Sequence, residues 1–387
     1  MNPIHVETAV KERYSSGAEC CEPALCCPVD YDPQYLKAIP PEVIERDYGC
    51  GDPSKHLRAG ETVLDLGSGT GKICFIAAQV VGATGRVIGV DMTDAMLEVA
   101  RRNAPVVAER IGFANVEFRK GRIQDLALDL ERLDAELKAR PIADAHAFLR
   151  AGELAAELRV RHPLVADDAV DVVVSNCVLN LVEGRAKRQL FEEIFRVLRK
   201  GGRAVISDIV SDEEVPLAMQ NDPELWSGCI SGALTESGFV RAFVEAGFYG
   251  VRILQRDAEP WRTVQGIEFR SVTIEAFKGK QGASFERGQA VIYKGPFKKV
   301  LDDDGHAFER GERSAVCDKT FQLYQREPYR GAFECIEPRT PVAPIAPEDA
   351  RPFDCSGLRL RQPKETKGED YDATTDVSQC RDGGDCC

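Results

Sequence analysis

The sequence predicts an α/β protein built on a doubly wound, mostly parallel sheet, flanked by an N-terminal helical, cysteine-rich segment and a small β-rich C-terminal domain. Three observations carry this. Between residues 62 and 277, short β-branched apolar runs alternate with amphipathic stretches of helical length. A glycine-rich turn, GSGTG (67–71), follows the first of those runs. Beyond about residue 280 the helical periodicity gives way to short runs separated by Gly and Asp turns.

The elements follow in order. TVLDLG (62–67) reads as a strand, ICFIAAQVV (73–81) as a helix, RVIGVDM (86–92) as a strand and DAMLEVARRNAPVVAERIG (94–112) as a helix. VEFRKG (116–121) is a third strand. Residues 127–166 are rich in Ala, Leu and Arg, with breaks at Pro141 and Pro163, so helices are inserted there. AVDVVVSN (169–176) resumes the strand pattern. RAKRQLFEEIFRVLRKGG (185–202) is amphipathic and reads as a helix stopped by its two glycines. RAVISDIV (203–210) is a strand, TESGFVRAFVEAGF (235–248) a helix, and GVRILQ (250–255) with FRSVTIEAF (269–277) close the sheet. The expected organisation is an N-terminal segment with a thiol cluster (1–58), the sheet domain (59–280), a small domain (281–354) and a polar, acidic tail (355–387) lacking the apolar residues for a core.

A chain of 387 residues, 43% of them hydrophobic, supports about two or three domains. Its net charge of -13 argues against nucleic acid or an anionic membrane surface as partner. The start, MNPIHVETAVKERYSS, carries charges where a signal peptide needs an apolar core, and no apolar run approaches a membrane span of about 18 residues. A cytoplasmic, monomeric protein is expected. Fourteen cysteines in such a chain point to ligation or redox chemistry rather than to a disulfide framework.

At the first strand–helix turn stand Asp65, Gly67, Ser68, Gly69 and Gly71. The glycines permit a tight turn and close approach of a ligand to the backbone. Asp65 lies where a phosphate would be repelled, which lowers a dinucleotide-dependent dehydrogenase, and Asp91 ends the next strand at the spacing of a ribose-binding carboxylate. DLGSGTG resembles motif one of the class I S-adenosylmethionine methyltransferases. The resemblance covers about residues 60–280 and implies that Asp65 and the glycines hold the methionine part, Asp91 the ribose, and Met92, Ile123 and Gln124 the adenine.

Cys50, Cys177 and Cys229 each lie among small or polar residues in separate loops (YGCGDP, VVSNCVLNL, WSGCISGAL), Cys177 just past the carboxyl end of a strand, where such sheets bind ligands. Cys74, within an apolar helical face, reads as core. Three converging thiolates form a soft site. Zinc sites favour close C-x-x-C pairs, so a pyramidal trivalent centre such as arsenite fits better. Asn176, at the strand end, is expected to line the cofactor cleft.

With these loops, FRSVTIEAFKG and QAVIYKGP, the sequence resembles the arsenite methyltransferases from about Tyr48 to Glu337. That resemblance implies an arsenic-detoxifying transferase with arsenic(III) on Cys50, Cys177 and Cys229, supplied as arsenite or a thiol conjugate. It also implies an N-terminal redox thiol, matched by one of Cys20, Cys21, Cys26 and Cys27, and turnover supported by thioredoxin or glutathione. The insert at 127–166 departs from shorter members of the family. Two readings compete: methylation of another small-molecule or soft-element acceptor, and thiol-based metalloid binding without catalysis. Cys317, Cys335 and Cys355 have no spacing that singles them out, and the Cys380, Cys386 and Cys387 group could collect metalloid.

Overall fold

The computed structural model describes residues 3–19, 29–46, 48–340, 342, 346, 348–357 and 359–368. The chain divides into two compact units, Met1–Gly279 and Lys280–Cys387. The first opens with α1 (Pro3–Glu19), followed by the short α2 (Pro33–Leu36) and α3 (Pro41–Glu45). The alternating portion then runs β1 (Thr62–Leu66), α4 (Lys72–Val81), β2 (Arg86–Asp91), α5 (Asp94–Ile111) and β3 (Val116–Lys120). The insert supplies α6 (Leu130–Ala139) and α7 (Ala145–Arg161), after which come β4 (Val170–Asn176), α8 (Gly184–Val197) and β5 (Leu198–Ser211). The unit closes with α9 (Leu217–Gln220), α10 (Pro223–Ser227), β6 (Leu234–Thr235), α11 (Glu236–Glu245), β7 (Tyr249–Arg256), β8 (Arg262–Val264) and β9 (Ile267–Phe277).

The strand order is β3-β2-β1-β4-β5-β9-β7, parallel from β3 to β5 and antiparallel across β5–β9–β7, with β6 on β5 and β8 on β9. The period-2 alternation in the strands sorts their side chains onto two faces. Val63, Val172, Val174 and Val205 pack with Ile73, Ala77 and Val81 of α4 on one face. Leu64, Leu66, Val173 and Ile206 pack with Leu190, Phe191 and Ile194 of α8 and Phe239 and Phe243 of α11 on the other. The Phe191 and Phe243 rings meet edge-on at 4.9 Å between centroids.

One boundary differs from the sequence reading. The helix expected over 185–202 ends at Val197, and Leu198 already pairs with Val170 as the first residue of β5. Gly201, at φ 86, lets the chain bulge before Arg203 resumes the register opposite Val172. The glycines therefore shape a strand rather than stop a helix.

The second unit contains β10 (Ala290–Tyr293), β11 (Lys299–Leu301), β12 (Ala307–Glu309), β13 (Arg313–Ala315), α12 (Asp318–Tyr324), β14 (Phe333–Ile336), β15 (Arg359–Leu360) and α13 (Pro363–Lys367). Its main sheet has the order β14-β10-β13-β15. Residues 359–368, expected in a coreless tail, contribute a strand and a helix instead: β15 pairs with β13, and the buried Arg361 guanidinium is held by Glu286 and Glu365. Ion pairing and backbone pairing hold this stretch where apolar burial is scarce.

Candidate active site

The carboxyl ends of β1, β2 and β4, and the loop after β3, surround a cavity that is partly open to solvent. This is where an open α/β sheet places its ligands. Asp65, Gly67, Ser68, Gly69, Asp91, Met92, Ile123, Gln124, Asn176 and Cys177 all line it. Gly71 does not. It caps α4 at φ 94, and a Cβ there would lie 2.8 Å from the Phe118 ring, so it serves helix–sheet packing.

Asp91 accepts hydrogen bonds from the Gly69 amide at 2.9 Å and the Thr93 amide at 2.8 Å, which fixes its carboxylate at the cavity edge. Burial raises its pKa above the usual carboxylate range, against the lowering effect of those amides. Asp65 is buried and accepts the Cys74 S–H at 3.2 Å. Cys74 is thus a core residue, as expected, with the added task of orienting that carboxylate. Ser68 is also buried, and its Oγ has no hydrogen-bond partner among the described residues, although it lines the cavity. A buried hydroxyl without a partner asks for one from a ligand. Two carboxylates, the approachable backbone of Gly67 and Gly69, which carries no side chains, and this hydroxyl fit an amino acid–nucleoside cofactor carrying hydroxyls and a positive charge.

The Cys50 loop is fixed by Asn176. The Asn176 Oδ1 accepts from the amides of Cys50 (2.9 Å) and Gly51 (3.0 Å), while Nδ2 donates to the Gly51 carbonyl (2.8 Å) and the Tyr31 hydroxyl (3.1 Å). Its amide is spent on the loop, so Asn176, while lining the cavity as expected, also positions Cys50. The flanking glycines are required by proximity: a Cβ on Gly49 would sit 2.2 Å from Asn176 Nδ2, and one on Gly51 2.6 Å from Ser207 Oγ. Asn176→Ala leaves two buried amides unpaired. It is expected to cost about 2–4 kcal/mol and to lower product formation more than cofactor affinity, as thermal unfolding and cofactor titration would read; an unchanged rate would contradict the positioning role.

Cys177 and Cys229 have left-handed backbones, φ 63 and 62. For residues with a Cβ this costs on the order of 1 kcal/mol each and is kept where the surroundings dictate it. The Cys177 amide donates to Ser207 O at 2.8 Å, and Cys229 Sγ donates to Cys177 O at 3.3 Å. The loops are further stitched by Trp226 Nε1 to Leu181 O (3.1 Å) and Asn180 Nδ2 to Ile209 O (2.6 Å). Lys187, buried beneath them, donates to Gly232 O. From α1, Arg13 Nη1 reaches the Glu224 carbonyl and Ser227 Oγ, each at 3.0 Å.

The three loop thiols are thus brought together, each below a tenth exposed. Cys177 stands in the middle, hydrogen-bonded to both Cys50 and Cys229. Only Asp302, Asp304 and His306 bring three ligand atoms all within 4.8 Å among the described residues. The three thiol sulfurs therefore do not all lie within 4.8 Å of one another. Contrary to the lowered thiol pKa that easy ligation suggests, the Cys177 and Cys229 thiols are held up. At Cys177 the bond from Cys229 favours the thiolate, but the bond to Cys50, burial and the charges of Cys50 and Asp208 outweigh it. At Cys229 the bond to Cys177, then burial and the charges of Cys177 and Asp208, push the pKa up. Asp208 is itself raised by burial to about 6 despite Lys187, and burial lowers Lys187 to about 8.

Sequence reasoning expected a helical N-terminal segment but did not place α1 (Pro3–Glu19) at the site. Tyr14 hydrogen-bonds Cys229, and burial raises its hydroxyl pKa well above the usual value. Glu7 takes Gln124 Nε2 at 3.1 Å and Arg122, so Gln124, expected at the adenine, is already bound to α1. Glu7, Val10 and Tyr14 line the cavity at i, i+3, i+7 spacing. A carboxylate and a phenol within an otherwise apolar stripe were the available signal. Cys20 and Cys21, like Cys26, Cys27, Cys380, Cys386 and Cys387, lie outside the described residues. No helix among the described residues is long and apolar enough to cross a membrane.

A family model described as a methyltransferase domain matches residues 57–149 and 138–247, and one described as a domain of unknown function matches 280–371. With the sheet order and the acidic glycine turn, the first match defines a class I S-adenosylmethionine-dependent methyltransferase. The arsenite methyltransferase of Aquipseudomonas alcaligenes is 34% identical over 329 residues, spanning 81% of this chain and 85% of that protein. The mouse arsenite methyltransferase is 31% identical over 75% of this chain and 70% of its own. The crystal structure of an arsenic(III) S-adenosylmethionine methyltransferase from Chlamydomonas reinhardtii matches with a TM-score of 0.53 at 29% identity, covering 83% of this chain and 100% of that one. The chain belongs to the arsenite methyltransferase family.

Proposed function

We propose that the protein methylates trivalent arsenic held by Cys50, Cys177 and Cys229. The observation that carries this is the meeting of three thiols from three separate loops, beside the cavity that presents Asp65, Ser68 and Asp91. S-Adenosylmethionine supplies an electrophilic methyl group on a sulfonium. Asp91 would take the ribose hydroxyls, Asp65 and Ser68 Oγ the amino acid end, and the Gly67–Gly69 backbone the close contacts. Arsenous acid exchanges hydroxides for sulfurs, and each thiol proton leaves on the displaced hydroxide as water. The bound arsenic keeps a lone pair and loses no proton when it attacks, so no general base is needed. Burial of the sulfurs excludes competing water, and Asn176, Tyr14 and the left-handed loop residues fix their positions.

Methyl transfer raises the formal oxidation state of arsenic by two, so each turnover requires an electron pair from two thiols. Cys50 and a cysteine of the 20–27 cluster would supply it as a disulfide, which thioredoxin or glutathione reopens. The seven described cysteines are all free thiols, which supports a reducing, cytoplasmic setting.

Anaerobic incubation with arsenite, S-adenosylmethionine and a thiol is expected to yield methylated arsenic; its absence, with cofactor bound, would refute the reading. The raised thiols add a kinetic expectation. Since the thiolate is the attacking form, arsenical association should accelerate about tenfold per unit between about pH 7 and 9, without a plateau. Equilibrium affinity should stay flat, because exchange releases no net proton. Stopped-flow binding reads both, and a plateau near neutral pH would contradict the assignment of these buried thiols.

A further inference from the structure

We propose that Cys317 and Cys355, in the second unit, form a separate dithiol site for a trivalent arsenical that carries one carbon substituent and two exchangeable oxygens. This deepens the arsenic reading above and rests on it for the identity of the natural ligand.

The two residues are 38 positions apart, yet the fold pins both to the same dipeptide. Beside Cys317, Asp318 N donates to Phe285 O at 3.0 Å, and Phe285 N donates back to Asp318 Oδ1 at 3.0 Å. Two residues before Cys355, Phe353 N donates to Ser284 O at 2.8 Å, and Phe285 and Pro352 form an isolated bridge. The Cys355 carbonyl is held by His306 Nε2 at 3.0 Å, whose Nδ1 lies 3.0 Å from Asp302 Oδ2. The two side chains are thereby brought to interact with one another, with Ser284 beside Cys355; each S–H also has its own acceptor, Thr320 Oγ1 at 3.3 Å from Cys317 Sγ and Phe353 O at 3.8 Å from Cys355 Sγ. Cys317 is buried and Cys355 exposed, so one sulfur is an entry point and the other a fixed anchor. Cys317 also caps α12, with Thr320 N at 3.4 Å from its Sγ.

Coordination number selects the ligand. In the first unit three thiols meet and suit arsenic with three exchangeable ligands; here two meet. A monosubstituted arsenical exchanges both As–O bonds for As–S bonds, and two thiol protons leave with the hydroxides as two waters. No electron moves. The product of a first methylation has this substitution pattern, so the site would retain such a species on the enzyme.

Phenylarsine oxide is the probe. The reduced full-length chain is saturated with it and desalted in glutathione, which strips singly held arsenicals, and bound equivalents are counted by native mass spectrometry. Cys317→Ser and Cys355→Ser should each lower the count by one, and the double variant also by one, because the sulfurs share one arsenic. An unchanged count in either single variant, or a loss of two in the double, would overturn the proposal. Serine keeps a capping oxygen at 317, and the exposed Cys355→Ser variant carries the test if the first fails to fold. Cys177→Ser should lose methylation but retain this equivalent. If the parental chain bound the probe here yet methylated no arsenite, the functional reading alone would fail.

Discussion

Cys177→Ser is expected to lower arsenite methylation by at least about a hundredfold, to below detection in ordinary assays, while cofactor binding persists. A serine hydroxyl neither ionises near neutral pH nor suits a soft metalloid. Its position makes Cys177 the most sensitive of the three: it interacts with both other thiols, so its loss removes the sulfur that links them. The complementary variant separates function from fold. At φ 63, Cys177→Gly relieves strain of about 1–2 kcal/mol, which offsets the packing lost with a buried sulfur. That variant should melt close to the parent and be inactive. Methylation at the parental rate by either variant would remove Cys177 from the arsenic site.

Asp91→Ala is expected to weaken S-adenosylmethionine binding by about 10- to 100-fold, equivalent to losing one charged hydrogen-bond acceptor worth about 1.5–3 kcal/mol. The carboxylate does two jobs. It holds the Gly69 and Thr93 amides and so shapes the glycine turn, and its position suits the ribose hydroxyls. Asp91→Asn is not a benign replacement, because its NH2 would face one of the two amides now donating to the carboxylate. Burial raises the Asp91 pKa, so the protonated form persists to higher pH than at an exposed aspartate. Cofactor affinity should accordingly fall on acidification at a higher pH than such an aspartate would dictate. Calorimetric titration across pH checks both statements, and an affinity unaffected by Asp91→Ala would displace Asp91 from the cofactor site.

What the sequence revealed and what it hid divide along sequence separation. DLGSGTG and Asp91 were legible because glycine turns and strand-end carboxylates are local patterns, and the strands from Thr62 to Asn176 followed from alternation alone. Cys50, Cys177 and Cys229 were legible as loop residues among small or polar neighbours, and more fully through family resemblance. Contacts that close over long separations left no local trace. Asn176 reaches Cys50 and Gly51 across 126 and 125 residues, so its clamping role was invisible. Tyr14 sat in a stripe that reads as ordinary core. Leu198 looked helical because its pairing with Val170 competes with, and wins over, local amphipathicity. Cys317 and Cys355 were passed over because their proximity is created by separate contacts to Ser284 and Phe285.

The central claim is that one arsenic atom sits among three sulfurs at the edge of the cofactor cavity. Anomalous diffraction at the arsenic edge, from crystals soaked with arsenite and S-adenosylhomocysteine, tests it most directly. The account predicts a peak bonded to the Sγ atoms of Cys50, Cys177 and Cys229, with its open side toward the cofactor sulfur. Arsenic absent from this position, or bound there with its open side sealed from the cofactor, would contradict it.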